Sequence, residues 1–134
     1  MTRIPQYGYT LIELVIVVAI IGILAAVTSS FFSDNVQQAR CTDGRNAVLR
    51  GSAVLEKCRA AYGVYDNANC DTASFTGNTA DGYFNVSTPT LTPTTFTVSA
   101  AGIGTASAAN GNTFCSTITI DHLGVQGGTG SSPW

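Results

Sequence analysis

The residue types that most often do chemistry form no catalytic pattern in this sequence of 134 residues. The Asp121-His122 pair, with many serines elsewhere, could suggest a histidine base and a hydroxyl nucleophile, but no serine lies in a G-x-S-x-G turn. The sequence also contains no H-E-x-x-H zinc motif, no Walker glycine loop and no dinucleotide-binding fingerprint. We therefore expect a protein that is not an enzyme and that has no cofactor and no metal site.

The cysteines indicate a different chemistry, which is disulfide formation. Their number is even, and all of them follow an apolar segment of the kind that directs export. In such a sequence, cysteines indicate disulfides in an oxidising compartment. No close C-x₂₋₄-C pair of the kind found in zinc sites occurs. We expect two disulfides among Cys41, Cys58, Cys70 and Cys115.

A single carboxylate, Glu13, lies near the start of an apolar run that extends from Leu11 to Val27. As a helix this run is roughly 26 Å long, and with Phe31 and Phe32 it reaches the roughly 30 Å thickness of a hydrocarbon core. A charge inside such a helix is expensive and indicates a function. Because buried charges are retained where they are paired, we expect Glu13 to have a positive partner.

Three interpretations of this segment are open from its composition. It could be a cleaved signal peptide, a plain membrane anchor, or a helix that leaves the bilayer and packs into a protein filament. Arg3 places the short leader on the cytoplasmic side in each case. Glu13 disfavours the signal peptide, whose apolar core seldom contains a charge, and favours the filament, where a fixed partner can neutralise it.

The stretch Gly8-Tyr9-Thr10-Leu11-Ile12-Glu13-Leu14, followed by VIVVAIIGILAAV, closely resembles the N-terminus of type IV prepilins and related pseudopilins. The resemblance implies that a prepilin peptidase cuts between Gly8 and Tyr9 and methylates the new amino group of Tyr9. It also implies that Glu13 pairs with the N-terminal amine of a neighbouring subunit. Tyr9 replaces the usual phenylalanine, and Ser30 replaces a proline that kinks the helix of major pilins.

A helical pattern continues beyond the apolar run, so we predict one helix from about Leu11 to Tyr62. Its second half is amphipathic, and Gly44 and Gly51 either weaken it or allow close packing. Gly63 then ends the helix. The face predicted to pack against the rest of the protein repeats every seven residues and carries Cys41, Val48, Leu55 and Tyr62.

Three half-buried strands are predicted downstream, because apolar and polar residues alternate there. The apolar positions are Phe84 and Val86, then Phe96, Val98 and Ala100, then Ile118 and Ile120. Short connections favour an antiparallel meander, and the helix face is available to cover its apolar side. The predicted fold is therefore α+β, with a long N-terminal helix packed on a small antiparallel sheet, which is the architecture of a pilin head.

The expected organisation has three parts: a leader (1–8), a hydrophobic transmembrane and assembly helix (9–32), and a globular head (33–134). Within the head we expect the amphipathic helix to about residue 62, a loop (63–81), the sheet (82–125) and a Gly/Ser-rich tail (126–134). The sequence leaves open whether Trp134 pins this tail to the head.

The predicted helix limits the disulfide pairing. Cys41 and Cys58 lie about 26 Å apart on one helix, whereas disulfide-bonded Cα atoms lie within about 7 Å. Two connectivities remain, and we favour Cys58–Cys70 with Cys41–Cys115, because Cys70 closely follows the helix end. The alternative joins Cys41 to Cys70 and Cys58 to Cys115.

The charge distribution bears on partners. All lysines and arginines except Arg3 lie between positions 40 and 59, and four uncompensated aspartates follow. Nucleic acid could bind only at segment 40–59, and we do not expect it as a main partner. The stretch Asn85-Val86-Ser87 matches an N-glycosylation sequon, a pattern that is common by chance.

By resemblance, we expect a filament subunit that is a precursor in the bacterial inner membrane and then part of an extracellular pilus, or fimbrium. Its partners are other pilin subunits and the prepilin peptidase, and its roles are twitching motility, adhesion or DNA uptake. The missing proline and the small head favour a minor pilin. The alternatives are a major pilin, a pilin that binds DNA or a surface, and a type II secretion pseudopilin, which the absence of a calcium-type acidic cluster disfavours.

Overall fold

The computed structural model describes residues 8–107 and 112–134, with the backbone alone at residues 28–31. The predicted leader therefore lies outside the described residues except for Gly8, and so does the side chain of Ser30. The chain divides into two compact units, Met1–Asn35 and Val36–Trp134. We call the second unit the head.

Helix α1 extends from Leu11 to Tyr62, and its first turn is capped by the residue before it. The Oγ1 atom of Thr10 accepts a hydrogen bond from the backbone N–H of Glu13 at 3.3 Å. This contact satisfies one of the N–H groups that a helix leaves unpaired at its start. At the other end Gly63 adopts a φ of +80° and its N–H donates to the carbonyl oxygen of Arg59 at 2.7 Å, which ends α1 at the predicted residue.

The head contains one antiparallel sheet whose five strands follow one another in chain order. One single-turn 3₁₀ helix, Thr72–Ser74, precedes the sheet, and another, Gly104–Ala106, lies in one of its connections. The strands are β1 (Gly77–Asn78), β2 (Phe84–Leu91), β3 (Phe96–Gly102), β4 (Thr117–Asp121) and β5 (Gln126–Thr129). The predicted α+β fold, a long helix with an antiparallel meander, is confirmed.

The core of the head forms between one face of α1 and the inward side of the sheet. Three of the four predicted helix positions, Cys41, Val48 and Leu55, are fully buried. Tyr62, the fourth, is 49% exposed, because α1 ends there and Tyr65, which is 2% exposed, takes its place in the core. From the sheet, the predicted inward residues are all buried: Phe84, Val86, Phe96, Val98, Ala100, Ile118 and Ile120.

Gly44 and Gly51 allow α1 to approach the core closely, which is one of the two roles predicted for them. A Cβ atom on Gly44 would lie 2.9 Å from Cδ1 of Ile118. A Cβ on Gly51 would lie 2.7 Å from Cδ2 of Phe75. Each glycine loses about 1 kcal/mol of helix propensity relative to alanine, and both positions gain contact with large side chains.

The structure corrects the predicted bounds of the sheet at both ends. Strand β1 lies inside the segment predicted to be a loop, and β5 lies inside the predicted tail. Neither strand alternates apolar with polar residues, since β1 has two residues and β5 reads QGGT, so periodicity could not reveal them. The tail is pinned as well, because Nε1 of Trp134 donates to the carbonyl oxygen of Gly127 at 2.7 Å.

Candidate functional site

The predicted cleavage and assembly residues lie together at the start of α1. Tyr9 is 84% exposed, and Glu13 lies in the first helical turn, where the positive end of the helix dipole favours a carboxylate. Tyr9, Glu13, Leu14 and Val17 line a shallow groove of about 320 Å³. Within the described residues, Glu13 forms no ion pair and no side-chain hydrogen bond, so its carboxylate is available to a group from another molecule.

The helix surface that follows Glu13 is apolar and exposed on every side. Its large side chains from Leu11 to Val27 are between 49% and 83% exposed. The most apolar window has a mean hydropathy of 2.9, and none of it is buried within the protein. By length and composition this helix could cross a membrane. A contiguous apolar surface of this size marks a site of interaction with lipid or protein.

The cysteines form two disulfides that attach α1 to the rest of the head. Cys41 is bonded to Cys115, and their Cα atoms are 5.8 Å apart. Cys58 is bonded to Cys70, with a Cα–Cα distance of 5.6 Å, and this bond closes the chain just beyond the helix end. This is the pairing favoured from the sequence. Buried Asn112 supports the first bond, because its Oδ1 accepts a hydrogen bond from the N–H of Cys115 at 3.2 Å.

Three of the five cations on α1 interact with other parts of the head. The guanidinium carbon of Arg40 lies 5.3 Å from the ring centre of Tyr83, and that of Arg59 lies 4.9 Å from the ring centre of Tyr65. Arg45 donates from Nε to the carbonyl oxygen of Pro133 at 2.8 Å and from Nη2 to that of Ser132 at 2.7 Å. Arg45 therefore holds the chain that follows β5.

The remaining cations, Arg50 and Lys57, are exposed and make no side-chain hydrogen bond or ion pair with a residue that the structure describes. They are seven residues, or two helical turns, apart and so lie on the same side of α1, with Asn46 one turn before Arg50. A cleft of about 160 Å³ lies beside Asn46 and Arg50. On its other side Thr79 donates from Oγ1 to Oδ2 of Asp43 at 2.5 Å.

The contacts of Arg45 and Asp43 were not foreseen from the sequence. Arg45 and Pro133 are separated by 88 positions, and Asp43 and Thr79 by 36. No local motif marks either pair. The described residues also hold no group of three or more histidine, cysteine, aspartate or glutamate side chains placed to bind a metal ion.

An exposed apolar helix with a carboxylate in its first turn, continued by an amphipathic half on a disulfide-bonded antiparallel sheet, defines a type IV pilin-like protein. Comparison with known families specifies the class. Residues 30–119 match the family model described as "Type IV minor pilin ComP, DNA uptake sequence receptor", and residues 3–29 match the prokaryotic N-terminal methylation motif. The chain belongs to the type IV minor pilin ComP family, and the prediction of a minor pilin is confirmed.

Individual proteins are similar to this chain in sequence or in fold. The fimbrial protein EcpC of Eikenella corrodens is 37% identical over 70 residues, which cover 51% of this chain and 46% of that protein. The chain thus spans about half the length of this curated relative. The crystal structure of the non-core minor pilin PilV of Neisseria meningitidis has a similar fold, with a TM-score of 0.55 and 21% identity over 72% of this chain and 90% of that one. The family and the fold are those of structural pilins.

Proposed function

We propose that this minor pilin is a structural subunit of a type IV pilus and that its N-terminal helix is used in two environments. The precursor lies in the inner membrane, with the leader 1–8 on the cytoplasmic side. A prepilin peptidase then cuts between Gly8 and Tyr9 and methylates the amine of Tyr9. The hydrophobic segment 9–32 next leaves the bilayer and packs among the helices of other pilin subunits, while the predicted globular region 33–134, which includes the head, is displayed on the extracellular fibre.

The observation that carries this proposal is the exposed apolar surface of α1 with a carboxylate in its first turn that has no charged partner among the described residues. Water is a poor environment for that surface, and lipid is a poor environment for the ionised Glu13. A bundle of pilin helices suits both the apolar surface and Glu13. It buries the apolar side chains, and it can place the N-terminal amine of a neighbouring subunit against the Glu13 carboxylate. The match to the N-terminal methylation motif supports the processing step.

Mass spectrometry of sheared filaments tests the proposal. We expect the N-terminal peptide of this chain to begin at Tyr9 and to carry one methyl group. The variant Gly8→Arg should stay uncut in the membrane fraction, because a bulky charged residue replaces glycine at the cut. The matched variant Tyr9→Phe should be processed as the natural chain is. Recovery of filament subunits that still carry residues 1–8 would contradict the proposal.

A second function, DNA binding by the head, is favoured by one comparison. The family that matches residues 30–119 is described as a DNA uptake sequence receptor. Among the described cations, Arg50 and Lys57 are free to contact phosphates, since Arg40, Arg45 and Arg59 are engaged within the head. No Lys or Arg follows Arg59 in the sequence. Any DNA site of this head is thus centred on α1, with Asn46 next to the cations.

Gel-shift titrations of the full chain in detergent with duplex DNA test this second function. Two phosphate contacts should weaken binding about tenfold between 50 and 200 mM salt. The double variant Arg50→Ala, Lys57→Ala should abolish the gel shift at low salt. The control Arg59→Gln, which removes a cation that is engaged with Tyr65, should retain the gel shift. Arg45 is unsuitable as a probe because its loss would release the chain after β5. An absent shift at 50 mM salt, or equal losses in both variants, would exclude the site.

A further inference from the structure

The turn between β4 and β5 is held by several hydrogen bonds. Oδ1 of Asp121 accepts hydrogen bonds from the backbone N–H groups of Leu123 and Val125, each at 2.9 Å. The N–H of Asp121 donates to the carbonyl oxygen of Val125 at 3.2 Å, and Gly124 takes the positive φ of +76° that this tight turn requires. A further bond, from the N–H of His122 to the carbonyl oxygen of Phe96 at 3.1 Å, ties the turn to β3.

This hydrogen-bonded turn displays two large aliphatic side chains to solvent. Leu123 is 74% exposed and Val125 is 60% exposed. Among the described large apolar side chains of the head that follow residue 35, the others in the exposed class are Leu49, at 43%, and Tyr62, at 49%. Single exposed apolar residues are common, but two on one fixed turn form a preformed contact that loses little conformational entropy on binding.

The area of this contact indicates what kind of partner it suits. The two side chains together expose on the order of 200 Å², whereas a stable interface buries about 800 Å² on each partner. Such a contact is too small to hold a free protein. The contact suits a partner that is already held close by other interactions. For such a partner, a high effective concentration compensates for the small area of the interface.

We propose that the turn formed by residues 122–125 is a contact with the head of a neighbouring pilin subunit in the same fibre, with Leu123 and Val125 packing on an apolar surface of that neighbour. The proposal rests on the proposed function, because polymerised N-terminal helices are what hold the two heads together. The turn is unsuited to DNA, since Asp121 is the charged residue next to it and no Lys or Arg lies between residues 60 and 134.

Photo-crosslinking in the producing bacterium tests the contact on the full chain. A photo-reactive amino acid placed at position 123 or 125 should form adducts with another pilin subunit in sheared filaments, identified by mass spectrometry. A probe at Leu14, on the apolar helix, serves as the control for polymerisation. The inference would be overturned if position 14 gives pilin adducts while positions 123 and 125 give none. It would also be overturned if positions 123 and 125 give adducts only to lipid, DNA or non-pilin protein. Absence of adducts from position 14, with the chain missing from filaments, would instead overturn the proposed function.

Two double variants give a second, independent measurement. Leu123→Glu with Val125→Glu should lower the ratio of filament to membrane subunit about tenfold, because two apolar contacts are replaced by charges. Leu123→Met with Val125→Ile, which keeps the surface apolar, should leave this ratio within about twofold. Non-reducing gels check that both variants form the two disulfides. Equal incorporation of the two folded variants would contradict the contact, and if the glutamate variant fails to form its disulfides, the crosslinking result decides.

Discussion

Replacement of Glu13 by alanine is expected to leave cleavage after Gly8 intact and to remove most of the chain from filaments. In the folded subunit the Glu13 carboxylate has no positive partner among the described residues, and it lies in an apolar surface that a fibre would bury. Removing one member of a buried ion pair costs about 3 kcal/mol or more, which is about a hundredfold in the equilibrium for subunit addition. Immunoblots that compare membrane and sheared-filament fractions measure this loss.

Two further variants separate the charge of Glu13 from its place in the helix. Glu13→Gln keeps the size of the side chain and should fail to incorporate as alanine does. Leu14→Ala, at the neighbouring position of the same groove, removes apolar surface but no charge, and its loss of incorporation should be smaller by at least about tenfold. If Glu13→Ala enters filaments at the natural level, the carboxylate has no role in assembly and a plain membrane anchor becomes the better interpretation.

Removal of the Cys41–Cys115 bond is expected to be the largest single loss of stability in the head. The bond joins residues 74 positions apart, and the loop-closure estimate for such a loop is about 4 kcal/mol. Both cysteines are fully buried, so the double variant Cys41→Ala, Cys115→Ala also loses packing. Fluorescence of Trp134, which packs against the core, reports thermal unfolding of the full chain in detergent.

The second disulfide supplies the matched control. Cys58 and Cys70 are 12 positions apart, and the same estimate gives about 3 kcal/mol, so Cys58→Ala with Cys70→Ala should unfold at a higher temperature than the first double variant. A reversed order would show that loop length does not govern stability here. Peptide mapping that finds Cys58 joined to Cys115 would refute the pairing itself.

Long elements with a clear period were the most predictable part of this fold. The seven-residue repeat and Gly63 were enough to place α1, and alternation was enough to place the three central strands. Strand β5 escaped prediction because its residues Gln126–Thr129 contribute no apolar side chain to a core. Its hydrogen bonds to β4 hold it instead, along with the Oγ1 atoms of Thr117 and Thr129, which are 2.8 Å apart. Such cross-strand pairing is invisible to a periodicity argument.

The candidate site residues also differ in whether the sequence could predict them. Gly8, Tyr9 and Glu13 lie within six consecutive positions, and a local motif could indicate them. The distinction between engaged and free cations could not be predicted, since it depends on what lies across the fold from each arginine. Nothing in the local sequence distinguishes Arg45 from Arg50. In the structure, Arg45 donates hydrogen bonds to the carbonyl oxygens of two residues near Trp134, whereas Arg50 is exposed to solvent. The turn at Leu123 and Val125 escaped prediction as well, because outward-facing apolar residues look like strand residues until the sheet is built.

The Cys41–Cys115 bond also defines how the head bears tension. In a fibre assembled through α1 as proposed, tension would enter each subunit along α1, on the N-terminal side of Cys41. At that point the disulfide forms a covalent path directly to Cys115, in parallel with the 73 intervening residues that contain β1 to β3. Those residues cannot be drawn out between the two cysteines while the bond is intact. Only the residues outside this loop could therefore be extended in a subunit under tension. The covalent disulfide, and not side-chain packing, sets this limit on extension.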